Sequence, residues 1–310
     1  MKEVLEQAVA LGKTHTDEGE VATYIPELGK VDGNQLGVCV FRKNGERISV
    51  GDTKVRFSIQ SISKIITLAV ALEICGFDQV FKKVGMEPTG DPFNSLMKLE
   101  NTDSSPYNPM INAGAIVVAS CLASEITFET MLDTVRALCM DPDIDLDKKV
   151  YHSEMTHISR NRAIAYLLES KGYIEKNKDV ENSLHFYVKM CSLSVTAESL
   201  AGLGLILAND GVHPETGKRL LSSQTVRIVK TIMFTCGMYD GSGEFAVRVG
   251  IPSKSGVGGG ILSVVDGEMG IGIFGPALDK KGNSVAGECV LEYMSHELHL
   301  HMFDPQRHTL

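Results

Sequence analysis

The stretch RFSIQSISKIITLAVALEICG, Arg56 to Gly76, places three serines, a glutamine and one lysine just ahead of a long apolar run. Its first residues read as strand. From Ser61 the spacing turns helical and stops at Gly76, a residue suited to a helix C-terminus. A strand handing over to a buried helix puts Ser61 at a helix N-terminus, where free backbone N–H groups and a partial positive charge can stabilise an alkoxide or oxyanion. Residues three apart share a helical face, so the Ser61 hydroxyl and the Lys64 amine are brought together. An amine drawn into apolar surroundings loses its proton more easily and can act as a base.

The spacing by itself carries no weight. With 24 Ser and 20 Lys in 310 residues, chance gives about 1.5 Ser-x-x-Lys pairs. The chain has two, Ser61/Lys64 and Ser95/Lys98. Context separates them: Ser95/Lys98 lies in the loop-like GDPFNSLMK, where a solvated lysine is the simpler reading. The alternative for Ser61 is a plain helix start with a surface lysine.

Outward from this stretch, LGVCVFRKNGERISVGD carries two strand-like runs around Asn44-Gly45, which suits a type I′ hairpin. From Ser61 to about Lys230 helical patterns dominate, among them NAGAIVVASCLASE, Asn161–Gly172 and TAESLAGLGLILANDG. After Gly241 the segments EFAVRVG, GGGILSVVDG and EMGIGIFG read as short strands, with Asp266-Gly267 as a second hairpin signal. Helical spacing marks the first twelve residues and about Ser284–Leu300. Strands at both ends with helices between predict an α+β fold in which residues 1–60 and 231–310 build one lobe, a mostly antiparallel sheet flanked by helices. Residues 61–230 would form a second, mostly helical lobe, with the site in the cleft between them. The strand order is open at this level.

Composition sets the outer limits. A 43% apolar, 22% charged chain is ordinary for a globular protein. A net charge of −9 and a pI near 5.5 argue against nucleic acid or an anionic membrane as partner, since both need a basic face. Apolar runs such as AGAIVVASCLAS stop short of the roughly 18 residues of a spanning helix. Glu3 and Glu6 interrupt any secretory leader pattern, so the expected location is cytoplasmic. Seven cysteines without a CxxC pair read mainly as reduced core residues; a catalytic cysteine with a distant histidine stays open on composition alone.

Two further segments carry chemistry. In GIPSKSGVGGGIL, Lys254-Ser255-Gly256 resembles the Lys-Thr-Gly strand of penicillin-recognising enzymes. The glycines at 256, 258, 259 and 260 permit close approach of a ligand or another backbone, and the Val257 N–H could donate to an oxyanion. A ligand-free glycine bulge is the alternative. In FTCGMYDGSGEFA, Tyr239 sits in a glycine-flanked segment and could shuttle protons; a buried structural tyrosine is the plainer reading. HELHLH near the C-terminus has Leu300 where a His-Glu-x-x-His zinc motif needs histidine, so no metal is expected.

Together and in this order, YIPEL, GDTKVRFSIQSISK, EPTGDPFNS, NPMINAGAI, SRNRAIAYLL, CGMYDGSGEFAVRVGIPSKSGVGGGIL and LDKKGNSVAG resemble the glutaminases of the serine-dependent β-lactamase-like superfamily, from Tyr24 to about Gly287. The resemblance implies a β-lactamase/transpeptidase-like fold and hydrolysis of L-glutamine to L-glutamate and ammonia without a cofactor. It implies Ser61 as nucleophile and Lys64 as base. Tyr239 would relay the proton to ammonia, with Tyr187 as second candidate, and the Ser61 and Val257 N–H groups would hold the oxyanion. Substrate contacts would map onto Tyr24, Gln60, Ser61, Asn112, Glu154, Asn161, Tyr187, Tyr239 and Val257, with Lys254, Ser255 and Gly256 in support. These residue types match the chemistry of glutamine, since Glu154 answers the substrate's ammonium while Asn112, Asn161 and Tyr24 can bond its α-carboxylate. For Asn112 a helix N-cap is the plainer reading. The family is commonly dimeric or tetrameric, which implies a homodimer or homotetramer. A penicillin-type hydrolase and a non-catalytic amino-acid-binding protein remain the alternatives.

Overall fold

The computed structural model describes residues 1–90, 105–176 and 179–307; the Ser95/Lys98 pair and most of EPTGDPFNS lie outside them. Five antiparallel strands form the main sheet, in the order Arg47–Gly51, Gly37–Arg42, Met269–Phe274, Gly260–Val265, Ser253–Gly256. The N-terminal hairpin therefore sits beside the C-terminal strands, with Val38 opposite Ile273 and Val40 opposite Ile271. The fold class is α+β.

The alternation in MGIGIFG explains how the sheet is covered. Successive strand residues face opposite sides. Ile271 and Ile273 pack with Leu5, Ala8, Val290 and Met294, from the terminal helices Lys2–Lys13 and Val285–Glu297. Gly270 and Gly272 face the other way, onto the helix Ala197–Ala208. A Cβ at Gly270 would stand 2.2 Å from the Ala201 carbonyl oxygen, and one at Gly272 1.9 Å from that of Ala197. Only bare backbone lets this helix lie so close.

Beyond that helix lies the apolar run that follows Ser61. The helix Ser63–Ile74 is buried all round from Ser63 to Leu72, as expected of a segment apolar on every side. It packs among the helices Asn112–Leu122, Val180–Cys191 and Ser223–Cys236. Burying Ile65, Ile66, Leu68, Val70 and Leu72 contributes about 10 kcal/mol, which lets the same helix carry an enclosed lysine.

Two expectations are corrected. EFAVRVG is no strand: Ser242–Arg248 is a helix. Phe245 and Val249, four apart, are both buried, while Val247 between them is 79% exposed, so the apparent alternation is one helical face plus a solvent residue. The Asn44-Gly45 turn is not type I′, which needs positive φ at two residues. Arg42 N–H bonds Glu46 O, and in this turn only Gly45 has positive φ (90°), giving a three-residue loop. The central region also contains strand. Phe57–Ser58, Leu193–Val195 and Asp145–Leu146 make a small antiparallel sheet, too short to leave a pattern. The Phe57 ring stacks on Phe274 at 4.5 Å and ties this small sheet to the large one.

Candidate active site

The strand Phe57–Ser58 delivers the chain into the short 3-10 turn Gln60–Ile62, and the α-helix starts at Ser63. Ser61 thus lies in the turn before the helix rather than on its first turn. Gln60 has φ 48°, a conformation that costs a non-glycine residue about 1 kcal/mol. Its side chain is anchored on both sides: Nε2 donates to Ser58 Oγ at 2.9 Å and to Glu154 Oε2 at 3.4 Å, and Ser58 Oγ donates to Cys191 O at 2.9 Å.

The glycines after Lys254 are explained by what they touch. A Cβ at Gly258 would lie 2.1 Å from the Ser58 oxygen, one at Gly256 2.8 Å from the Ile59 oxygen, and one at Gly260 2.7 Å from the Phe57 ring. The strand Ser253–Gly256 and its turn therefore lie directly on the nucleophile segment. Lys254 and Gly256 share the face toward it. Ser255 does not: its side chain points to the opposite face, opposite Ile261 of the terminal-helix layer. Only its carbonyl reaches the site, accepting Lys254 Nζ at 2.5 Å.

Lys64 is buried, and its Nζ donates to Asn112 Oδ1 at 2.8 Å and to Met110 O at 3.1 Å. Burial lowers its pKa to about 8, with the Glu154 charge opposing the fall. A neutral amine has two N–H groups and one lone pair. Both N–H groups are engaged, so the lone pair is left to receive a proton. Lys254, fully buried, is held well below the ordinary lysine range by desolvation and then by the Lys64 charge. Its Nζ sits 4.4 Å from the centroid of the Tyr239 ring.

Tyr239, at φ 54° in the turn Tyr239–Gly241, brings its hydroxyl to the Ser61 hydroxyl and the Val257 N–H. Burial raises its pKa, so the phenol is a neutral proton donor. Tyr187 OH donates to Asn112 Oδ1 at 3.3 Å, and Asn112 Nδ2 donates to Asn161 Oδ1 at 3.1 Å. The N-cap expectation for Asn112 fails: Ile111 holds the N-cap position without a side-chain bond, and the Asn112 amide is committed to Lys64, Tyr187 and Asn161. Glu154, on the helix Lys148–Thr156, is pushed up to about 7 by burial, against the pull of Gln60 and Lys64. Tyr24 is 56% exposed as a residue, yet its hydroxyl end is enclosed, and burial followed by the Glu154 charge raises its pKa.

Ser61, Lys64, Tyr239, Tyr187, Gln60, Asn112, Glu154, Asn161, Tyr24 and Val257 are thus gathered in one place. Glu154 and Asn161 come from separate helices, as do Asn112 and Tyr187. A cavity of about 290 Å³ lined by Met110, Ile111, Phe234, Cys236 and Tyr239 adjoins the cluster, but neither Ser61 nor Lys64 lines it; the reactive groups converge beside it. Sequence reasoning misses three participants. The Met110 carbonyl leaves no trace in side-chain patterns. Ser58 reads in sequence as a plain structural hydroxyl. Cys191 is legible, since it stands four residues after Tyr187 on a helix and must share its face.

The chain is similar to known proteins over nearly its whole length. The profile of the family described as glutaminase matches residues 19–303. A glutaminase of Fusobacterium nucleatum is 52% identical over 307 residues, covering 98% of this chain and 100% of that protein. Among solved structures, a probable glutaminase superposes with TM-score 0.90 at 40% identity, over 98% of this chain and 99% of the other. A Bacillus subtilis glutaminase, in a covalent complex with 5-oxo-L-norleucine formed from 6-diazo-5-oxo-L-norleucine, superposes with TM-score 0.88 at 38% identity, over 97% and 99%. The chain belongs to the glutaminase family of amidohydrolases.

Proposed function

We propose that the protein hydrolyses L-glutamine to L-glutamate and ammonia through a glutamyl ester on Ser61. The observation that carries this reading is the state of Lys64: enclosed, with its pKa lowered to about 8 and both N–H groups engaged, three residues from Ser61. Lys64 takes the Ser61 proton as Oγ attacks the side-chain amide carbon. The developing oxyanion is held by the Ser61 and Val257 N–H groups. The Tyr239 hydroxyl lies beside the Val257 N–H, and the substrate oxygen takes its place there on arrival. The Tyr239 phenol passes a proton to the departing nitrogen, is reprotonated from Lys64, and ammonia leaves. Water then attacks the ester, with Lys64 again receiving the proton, and Ser61 Oγ departs as the hydroxyl. Tyr187 is the second candidate for the relay.

Specificity follows from charge. Glu154 accepts the α-ammonium, and a ligand lacking that amine leaves a carboxyl group enclosed without its partner. Asn161, Asn112 and Tyr24 present donors for the α-carboxylate. The relative's covalent complex with a glutamine-like ketone supports the same substrate class here. The test is glutamine-dependent ammonia release by wild type and Ser61→Ala side by side. The Ala variant should lose turnover while keeping its circular dichroism and melting temperature. Wild-type turnover in the variant would refute Ser61 as nucleophile.

A further inference from the structure

The segment LDKKGNSVAG, Leu278 to Gly287, is given no step in the hydrolysis at Ser61, yet its turn lies against Tyr239 and Val257. Asp279 folds that turn. Its Oδ1 accepts the backbone N–H of Lys281 at 2.9 Å and of Asn283 at 2.8 Å, a use to which aspartate in turns is suited. Its own N–H donates to the Asn283 carbonyl at 2.8 Å, and its carbonyl accepts the Gly282 N–H at 3.1 Å. The turn is anchored at both ends. Before it, Leu278 pairs with Glu20 and packs with Ile25, Leu28, Tyr239 and Val257. After it, Ser284 caps the helix Val285–Glu297, its Oγ accepting the Gly287 N–H at 3.0 Å.

Two residues of this turn reach the relay. Gly282, at φ 96°, stands so close that a Cβ there would lie 3.4 Å from Tyr239 Cε2 and 3.4 Å from Val257 Cγ1. Asn283, 1% exposed, donates from Nδ2 to the Met238 carbonyl at 3.3 Å. That carbonyl belongs to the peptide leading into Tyr239, whose φ of 54° persists only where the surroundings hold it. Three bonds close the Tyr239–Gly241 turn on itself. The Met238 N–H donates to Ser242 Oγ at 3.0 Å, Ser242 Oγ donates to the Tyr239 carbonyl at 2.8 Å, and the Gly241 N–H donates to the Met238 carbonyl at 3.0 Å. These shape the turn without fixing where it sits. The strand Ser253–Gly256 holds Gly237, two residues upstream, through the Ser255 N–H at 3.1 Å. Asn283 holds the residue next to Tyr239 itself. We propose that Asn283 is a positioning residue for Tyr239: its amide, presented by the Asp279–Asn283 turn, seats the Tyr239 backbone so that the phenol faces the nucleophile. The proposal rests on the reading of Tyr239 as the proton relay.

The test compares wild type with Asn283→Ala and Asn283→Asp. Aspartate keeps the shape of asparagine and loses the N–H donor; alanine loses both. Tyrosine labelled at Cζ is followed by NMR, with the Tyr239 resonance assigned by its loss in Tyr239→Phe and that of Tyr151, on the helix Lys148–Thr156, as reference. Glutamine kcat and KM are measured alongside. Both variants should move the Tyr239 resonance and leave that of Tyr151 in place. Both should lower kcat by about 5-fold, the net worth of one hydrogen bond, with KM little changed. In the Tyr239→Phe background, Asn283→Ala should lower kcat no further, because residues acting through one group are not additive. A packing role predicts an Asp variant with wild-type kcat. A general loss of structure predicts the same fold-loss with and without the Tyr239 hydroxyl. Either of those results, or an unmoved Tyr239 resonance in the two variants, overturns the proposal. The resonance needs no turnover, so it decides the placement even if Tyr239→Phe is inactive. Wild-type turnover by Tyr239→Phe would count against the relay reading alone.

Discussion

Replacing Asn112 by Asp tests how the base is tuned. The substitution is isosteric and sets a carboxylate where Asn112 Oδ1 now meets Lys64 Nζ at 2.8 Å. Asn161 can turn its amide to donate where it now accepts, so the local hydrogen bonds survive. An opposite charge at this distance raises an amine pKa by about 1–3 units. Taking about 2, Lys64 moves from about 8 to roughly 10. At pH 7 the unprotonated fraction falls from about a tenth to about a thousandth, so kcat should fall about 100-fold, while at pH 10 roughly half of the amine is free again. The assay is kcat for ammonia release from saturating glutamine between pH 6 and 10.5. The wild-type rate should rise with pH through about 8, and the variant's rising limb should lie about 2 units higher. A variant whose limb stays in place while only KM grows would show that Asn112 touches substrate and leaves Lys64 unaffected.

Further outcomes concern substrate binding and packing. Glu154, at about 7, is protonated at lower pH and then cannot pair with an ammonium, so KM for glutamine should climb as pH falls below 7; Glu154→Gln should raise KM about 100-fold and remove that dependence. Gly272→Ala forces a methyl to within 1.9 Å of the Ala197 oxygen and should cost about 3 kcal/mol, read by urea denaturation. Gly243→Ala, in the helix Ser242–Arg248 and with nothing within 4 Å, should stabilise by about 0.5–1 kcal/mol.

The sequence carries the site further than it carries the fold. Ser61, Lys64, Tyr239 and Lys254 are legible because strand-to-helix handover, glycine flanks and a family resemblance all point to them. Two hairpin signals and the all-round apolar helix after Ser63 are legible for the same kind of local reason. What escapes depends on the rest of the molecule. The strand order joins residues more than 200 positions apart, as Val38 to Ile273, and no local pattern encodes that. Phe245, Val247 and Val249 satisfy both a period of two and a helical face; only burial decides between them. Ser255 follows Lys254 in a motif, yet strand alternation turns its side chain away. Asn112 sits where a cap belongs, but the acceptor its amide oxygen supplies is wanted by Lys64.

The central claim is that Ser61 forms the covalent bond to substrate. Treatment with 6-diazo-5-oxo-L-norleucine, followed by proteolysis and mass spectrometry, locates that bond directly. One adduct per chain, on the peptide bearing Ser61 and absent from Ser61→Ala, is the predicted result. An adduct on Cys191 or any other residue of wild type, or undiminished labelling of the Ala variant, would contradict the account.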